Sequence, residues 1–415
     1  MKKKTLILFM ILCIFISNTV HADDQIEEEE YKIEDIIEAS NSPKEEPILN
    51  ARAAVIYDRR TNEILWGKKE NERRPMASTT KIMTAIVVLE NGNLKDIVQV
   101  SKKAAGTGGS RLGLKANDKV SVQDLLYGLL LVSGNDSAVA LAEYIAGSVE
   151  GFANKMNEKA QELGLENSHF VSPHGLDMKE HYTTAYELAK LTDYALENKK
   201  FAEIVNTKYY TVNLGGRTKN LSNTNELLGN LEGVNGVKTG FTNGANRCLV
   251  TSVTRNDMSI ITVVLGADTK KNRTADSIKL IEYAYQNFKE VKIDEKIKNE
   301  FEDWKEKNEN NIILNKGFSK KLKLQLDEIE QTHIAIPKEK ENTIKVQIDV
   351  LPFIEAPVEK KQRIGNLKVI VDSKNKLIIP ILSEEEIPRM NVMNYLFRLV
   401  RNNVLYMEKV NCDKK

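Results

Sequence analysis

The stretch Pro75-Met76-Ala77-Ser78-Thr79-Thr80-Lys81-Ile82-Met83-Thr84-Ala85-Ile86-Val87-Val88-Leu89 sets a serine and a lysine three places apart at the head of an apolar helical run. On a helix that spacing puts both side chains on one face, one turn apart. A serine hydroxyl is a poor nucleophile until a base takes its proton. Lysine serves as that base only where burial and neighbouring positive charge keep it neutral. Ile82, Ala85, Ile86 and Leu89 continue a buried helix immediately behind the pair, and the helix N-terminus turns its positive end toward negative charge developing at Ser78. The same pattern recurs at Ser373-Lys374-Asn375-Lys376. There it sits in a hairpin turn among charged residues, without helix or apolar cover, and is read as an accident.

Two further triplets follow in order. Ser133-Gly134-Asn135 comes after Leu129-Leu130-Leu131 and before a helix opening at Asp136-Ser137. One reading is an inter-helix turn with Asn135 or Asp136 as N-cap. The other is a rigid loop offering a hydroxyl that relays a proton to a leaving amine and an amide that bonds the substrate. Lys238-Thr239-Gly240 ends a strand-like segment after Gly233 and Gly236. Alone it reads as a strand closing on a glycine turn. Beside the other two it reads as a substrate-binding edge. There Lys238 attracts a carboxylate, Thr239 hydrogen-bonds it, and Gly240 admits a substrate backbone. A nucleophile, a base and a cationic edge together point to acyl transfer through a serine ester.

The fold is read outward from this helix. Residues 53–58 and 63–67 look like strands, 81–89, 122–131, 137–145, 152–163 and 185–196 like helices, 236–239, 248–254 and 258–265 like strands, and 274–288 like a helix. Strands at both ends with helices between predict an α+β domain. Its antiparallel sheet is closed by the two chain ends and covered by helices, unlike a doubly wound parallel sheet. Period-two alternation then appears at Leu322, Leu324 and Leu326, at Val346, Ile348 and Val350, at Leu367, Val369 and Val371, and at Leu377, Ile379 and Ile381. That predicts a small, sandwich-like antiparallel β domain. Val392, Leu396, Leu399, Val400, Val404 and Met407 fall at helical spacing with Arg398 and Arg401 opposite, an amphipathic helix that lies on a membrane surface or packs on the β domain.

At 415 residues the chain has room for two domains, and a net charge of +1 offers no global footing for nucleic acid. Lys2, Lys3 and Lys4, an apolar run at 6–16 and Val20-His21-Ala22 read as a secretory leader cut after Ala22. The expected organisation is a leader at 1–22, an acidic flexible linker at 23–48 and a catalytic domain at 49–289. The β domain follows at 290–383, and a membrane-surface helix and tail at 384–415. Cys13, Cys248 and Cys412 make no disulfide framework, and Cys248 is expected as a buried, inert thiol.

Taken together, the three motifs resemble the penicillin-binding-protein and serine β-lactamase superfamily. The Ser-Gly-Asn form, leader, trailing β domain and amphipathic tail are similar to those of low-molecular-mass D-alanyl-D-alanine carboxypeptidases, including sporulation-associated members. Further stretches resemble the family at Phe170-Val171-Ser172-Pro173-His174-Gly175-Leu176-Asp177 and Val263-Val264-Leu265-Gly266-Ala267. The resemblance implies that Ser78 is the acyl-ester nucleophile and Lys81 its proton acceptor. It further implies that Ser133 shares in proton transfer, Asn135 positions substrate, and Lys238 and Thr239, with Gly240, hold the terminal carboxylate. The backbone N–H groups of Ser78 and Phe241 would form an oxyanion hole, and Arg273 resembles a family arginine near the carboxylate. The implied partners are peptidoglycan stem peptides, β-lactams as covalent inhibitors, and a membrane surface, on the extracytoplasmic side, with no cofactor. A class A β-lactamase would instead carry Ser-Asp-Asn where this chain has Ser-Gly-Asn. A noncatalytic wall-binding protein would not need the full chemical set. His169, His174 and His181 lie close together, but Pro173 and Gly175 break the helical pairing of a zinc site, so no metal is expected.

Overall fold

The computed structural model describes residues 31–40, 45–319 and 321–412, so the expected leader and the acidic run at 27–30 lie outside the described residues. The chain forms two compact units. One holds the residues through Tyr57 with Trp66–Tyr283, and the other holds Asp58–Leu65 with the residues from Ala284 onward.

In the first unit, strands from both ends of the segment meet in a five-stranded sheet. Its order is Glu63–Lys68, Ala53–Asp58, Met258–Ala267, Asn246–Arg255, Val234–Thr242. The last three are antiparallel neighbours, with Val250 opposite both Lys238 and Val263. Asn246–Arg255 is buried along nearly all its length, as a strand covered on both faces requires. Between the strand groups run helices at Lys81–Asn91, Val122–Leu131, Asn135–Ala146, Val149–Glu162, Ala185–Glu197 and Lys199–Val205. Lys81–Asn91 is apolar almost all round and sits inside the core, Lys81 through Val88 being buried. This is the α+β architecture that the pattern of elements predicts.

Several boundaries differ from the sequence reading. Val234–Thr242 runs past the triplet, so Lys238, Thr239 and Gly240 lie inside a strand and do not end it. Lys270–Asn287 begins ahead of the expected 274, which makes Arg273 helical. Asn135 opens Asn135–Ala146, and neither Asn135 nor Asp136 caps it: Gly134 stands at the cap position without a side-chain bond. Within the stretch expected as a flexible spacer, Ile33–Ser40 is a short helix that buries Ile36.

The second unit carries a four-stranded antiparallel sheet ordered Leu324–Leu326, Lys374–Ser383, Arg363–Val371, Lys345–Val350. Asp372 and Ser373, both at positive φ, make the tight turn between its two longest strands. Two strand pairs flank it: Phe288–Lys292 with His333–Pro337, and the parallel pair Ile313–Asn315 with Phe353–Glu355. A helix that the alternation gave no sign of, Asp294–Asn308, places Ile297 and Phe301 in the same core as Leu367, Val369 and Ile381. The chain then enters the helix Val392–Cys412. No helix among the described residues is long and apolar enough to cross a membrane.

Candidate active site

Ser78 lies in a short 3-10 turn, Ala77–Thr80, that leads directly into Lys81–Asn91. The chain enters it through Ala77 at φ +49, a left-handed conformation uncommon for a residue bearing a Cβ. Although the turn is tighter than the α-helix expected, the two side chains still meet. Lys81 Nζ stands 2.7 Å from Ser78 Oγ, 2.8 Å from Asn135 Oδ1 and 2.8 Å from the carbonyl oxygen of His174. Lys81 is wholly buried.

The second motif arrives on the turn between two buried helices. Ser133 sits there at φ +60, fully buried, and its Oγ has no hydrogen-bond partner among the described residues. A non-glycine residue held in this region persists only where its surroundings over-determine it, a condition that recurs at active sites. Asn135 Nδ2 donates to the carbonyl of Gly108 at 2.8 Å, which turns Oδ1 toward Lys81. Asp136, with Asn135 one of two cap candidates in the turn reading, has another role: its carboxylate accepts the N–H groups of Leu112, Gly113 and Leu114 at 2.8, 2.8 and 2.9 Å. Several aligned backbone donors hold a buried carboxylate better than one helix end does. Asp136 thereby fixes the loop whose Gly108 and Ser110 carbonyls accept from Asn135.

The strand Val234–Thr242 brings the third motif against the first. A Cβ added at Gly240 would lie 3.0 Å from the Ser78 backbone nitrogen and 3.1 Å from Ala77 Cβ. Glycine at this position is what lets the strand lie along the nucleophile turn. Lys238 is buried and donates to the Thr239 carbonyl at 2.8 Å. Thr239 Oγ1 lies 2.7 Å from Thr224 Oγ1. Phe241 follows, its ring under the Arg247 guanidinium at 4.0 Å.

The loop Phe170 to Asp177, quoted above only as a similar stretch, joins these pieces. His174 gives its carbonyl to Lys81, and Pro173 gives its carbonyl to Thr84 Oγ1 at 2.7 Å. Gly175 passes the nucleophile turn at φ +84, so close that an added Cβ would sit 2.0 Å from the Ala77 carbonyl oxygen. Asp177 then accepts from Thr242 Oγ1 at 2.6 Å and from the Gly244 N–H at 2.9 Å, tying the loop to the end of the substrate-edge strand.

His181 is buried and His174 half-buried, and both rings are neutral. Burial pushes His174 down to about 3 and His181 down to about 4. His181 Nδ1 accepts from the Val171 N–H at 2.9 Å. That leaves Nε2–H to donate to Thr80 Oγ1, 2.7 Å away, which in turn donates to the Ala77 carbonyl. His181 thus braces the turn between Ser78 and Lys81. No group of three metal-binding side chains occurs among the described residues.

Arg273 stands apart from the rest of the set. It is buried on Lys270–Asn287, with Nη2 3.1 Å from Glu226 Oε1. Burial pushes the Glu226 carboxyl up, but the Arg273 charge and hydrogen bonds from Thr274 and Tyr31 outweigh it and hold the group below its usual range. Glu226 lies on the loop that brings Thr224 to Thr239.

Residues 40–269 match the family described as "D-alanyl-D-alanine carboxypeptidase", and residues 301–389 match "Penicillin-binding protein 5, C-terminal domain". Over 84% of its length the chain is 34% identical to a D-alanyl-D-alanine carboxypeptidase of Bacillus subtilis, DacF, of which it covers 88%. It is 33% identical to DacC of Escherichia coli, covering 84% of the chain and 87% of that protein. Among solved structures, penicillin-binding protein 5 of Haemophilus influenzae superposes with a TM-score of 0.69 at 29% identity, over 83% of this chain and 99% of that one. The carboxypeptidase DacD of Francisella tularensis superposes with a TM-score of 0.69 at 28% identity, over 84% and 96%.

Proposed function

Since the chain belongs to the D-alanyl-D-alanine carboxypeptidase family, we propose how its residues divide the reaction among themselves. The protein is a serine-type D-Ala-D-Ala carboxypeptidase. It acts on peptidoglycan peptides and binds penicillin-like β-lactams.

The contacts of Lys81 carry the assignment. A neutral amine has two N–H donors and one lone pair. Asn135 Oδ1 and the His174 carbonyl can only accept, so they consume both donors. The lone pair is left facing the remaining neighbour, the Ser78 hydroxyl at 2.7 Å, and that is the direction a general base needs. Ser78 Oγ attacks the carbonyl carbon of the penultimate D-alanine while Lys81 takes its proton. The oxyanion is met by the N–H groups of Ser78 and Phe241. When the C–N bond breaks, Ser133 Oγ passes its proton to the departing D-alanine amine and is reprotonated by the Lys81 ammonium. Water then attacks the Ser78 ester, giving a proton to the again neutral Lys81, which hands it to Ser78 Oγ as the ester bond breaks. Lys238, Thr239 and Gly240 hold the terminal carboxylate and the adjoining backbone, and Asn135 holds a substrate amide. Arg273 is paired with Glu226 and so braces the loop that carries Thr224 to Thr239.

The leader at 1–22 and the amphipathic C-terminal helix support work on the extracytoplasmic face of the membrane, with Val392–Cys412 lying on its surface. The test is incubation with a pentapeptide ending in D-Ala-D-Ala and analysis of the products by mass. The enzyme releases one D-alanine, and penicillin attaches covalently at Ser78. The Ser78→Ala variant does neither while melting at the same temperature. Release of D-alanine by that variant refutes the nucleophile.

A further inference from the structure

In the second unit the parallel pair Ile313–Asn315 and Phe353–Glu355 breaks the alternation expected of a strand with one solvated face. Leu314 is buried, and Ile354 packs against the core. The outward positions, which should be polar, are large and apolar: Ile313 is 49% exposed and Phe353, its direct register partner, 61%. Leu351 is 68% exposed just upstream, and Phe318 52% just beyond the first strand. A cluster of four exposed large apolar side chains on one rim marks an interaction surface.

The rim runs without a break into the C-terminal helix. The Ile313 N–H bonds the Pro352 carbonyl, the Phe318 N–H the Pro388 carbonyl, and the Met390 N–H the Lys316 carbonyl. Gly317 and Arg389 form a bridge, and Arg398, nearly two turns into the helix, donates to the Gly317 carbonyl at 2.6 Å. On that helix Val392, Met393, Leu396, Phe397, Leu399, Val400 and Val404 are all exposed. Lys316 and Arg389 stand along the join, sharing Glu355, with Arg398 and Arg401 beyond. Apolar side chains beside basic ones make the composition that a bilayer interface takes up.

We propose that the membrane-contacting surface of this protein comprises the helix Val392–Cys412 together with the Ile313, Phe318, Leu351 and Phe353 rim, as one continuous face seated at the bilayer interface. This rests on the helix being a membrane-surface element. The rim would then act as a second anchoring point that fixes the tilt of the β unit on the membrane.

Cosedimentation of the full chain with phosphatidylethanolamine–phosphatidylglycerol vesicles tests it. Leu351→Ser with Phe353→Ser is expected to weaken partitioning by about tenfold or more, since each large side chain withdrawn from water contributes substantially. D-alanine release from a soluble peptide should stay unchanged, which shows that the fold is intact. The Phe353→Trp emission should shift to the blue on vesicle addition. If the rim variant partitions like the parent while Leu396→Ser with Phe397→Ser loses binding, the rim proposal is overturned and the helix reading stands. If the helix variant keeps binding and the rim variant loses it, the helix reading fails and the proposal of one continuous face falls with it. A parent that ignores vesicles overturns both. A rim variant altered only in self-association assigns the rim to a second copy of the chain and overturns the proposal.

Discussion

Acidification should weaken the catalytic unit through His174 and His181 well before its carboxylates titrate. Both rings are enclosed by protein, His181 fully and His174 for the most part, with folded values of about 3 and about 4 against an ordinary 6.5. A group whose folded value lies below its unfolded one leaves stability intact above the unfolded value and removes it as the pH falls toward the folded one. The window here therefore opens near pH 6.5 and closes near pH 3 to 4. At about pH 5 the unfolded chain binds nearly two protons that the folded unit refuses, a loss of ~2 kcal/mol per histidine relative to about pH 7. The sum, about 4 kcal/mol, is a large part of the 5–15 kcal/mol that holds a typical domain. Glu226 and Asp268, held low, act in the same direction but mainly at lower pH, and Asp276, raised by burial, opposes them. Urea unfolding of the Trp304→Phe variant reports on the first unit through Trp66, the other tryptophan of the two. His181→Gln should be less stable at every pH yet lose only about half as much between pH 7 and 5. A wild-type loss under about 1 kcal/mol over that interval would show that the rings are not held neutral by burial.

The Gly175→Ala variant must move either the loop or the nucleophile turn, because its Cβ would stand 2.0 Å from a backbone oxygen at φ +84. We expect the rate of covalent labelling by fluorescent penicillin to fall at least about tenfold, as a displacement near 1 Å does at a reacting centre. Labelling at the parent rate sinks the close-approach argument. For Asp136→Asn, an amide in place of the carboxylate leaves one acceptor for the three N–H groups of Leu112, Gly113 and Leu114. Calorimetry should show a loss of about 2–4 kcal/mol, and an unchanged melting temperature would mean that the loop is held by other contacts.

What could be read in advance depends on whether a role belongs to a side chain or to the backbone. Ser78, Lys81, Ser133, Asn135 and Lys238 stand in short motifs of recognisable residue types; all five are buried, and Lys81 bonds both Ser78 and Asn135. The loop from Phe170 to Asp177 contributes carbonyls from Pro173 and His174 and a close pass at Gly175, and a carbonyl carries no residue-type signal. Asp136 was misread because an Asp ahead of a helix is a strong local cap signal. The donors that claim it lie 22 to 24 residues away, at Leu112, Gly113 and Leu114. The helix Asp294–Asn308 did leave a trace: Ile297, Phe301 and Trp304 fall at helical spacing, within a stretch otherwise so charged that the period is easily passed over. Ile33, Ile36 and Ile37 likewise mark the short helix inside the acidic stretch.

The same loop explains how a cleft assembled from distant segments keeps its geometry. Acyl transfer needs the base, the hydroxyl and the oxyanion donors fixed relative to one another, since misplacement by about 1 Å costs orders of magnitude in rate. The nucleophile turn belongs to the helical core and the substrate edge to the outermost strand of the sheet, and sequence places them well over a hundred residues apart. From Pro173 to Asp177 the chain touches both: it bonds Thr84 and Lys81 on the helix, packs glycine on Ala77, and ends with Asp177 on Thr242 and Gly244. His181, a few residues on, reaches back to Thr80. On the helix side the Thr84 bond is buried and the Gly175 approach is a steric wall, which resist shear, while the Asp177 bonds lie nearer the surface. A β edge that stacked against the helix by apolar contact alone could slide. One pinned at Thr242, with Gly240 already 3.0 Å from the Ser78 amide in the sense of a built Cβ, cannot slide without breaking a charged hydrogen bond. The loop is thus a brace between the turn that carries Ser78 and the strand Val234–Thr242.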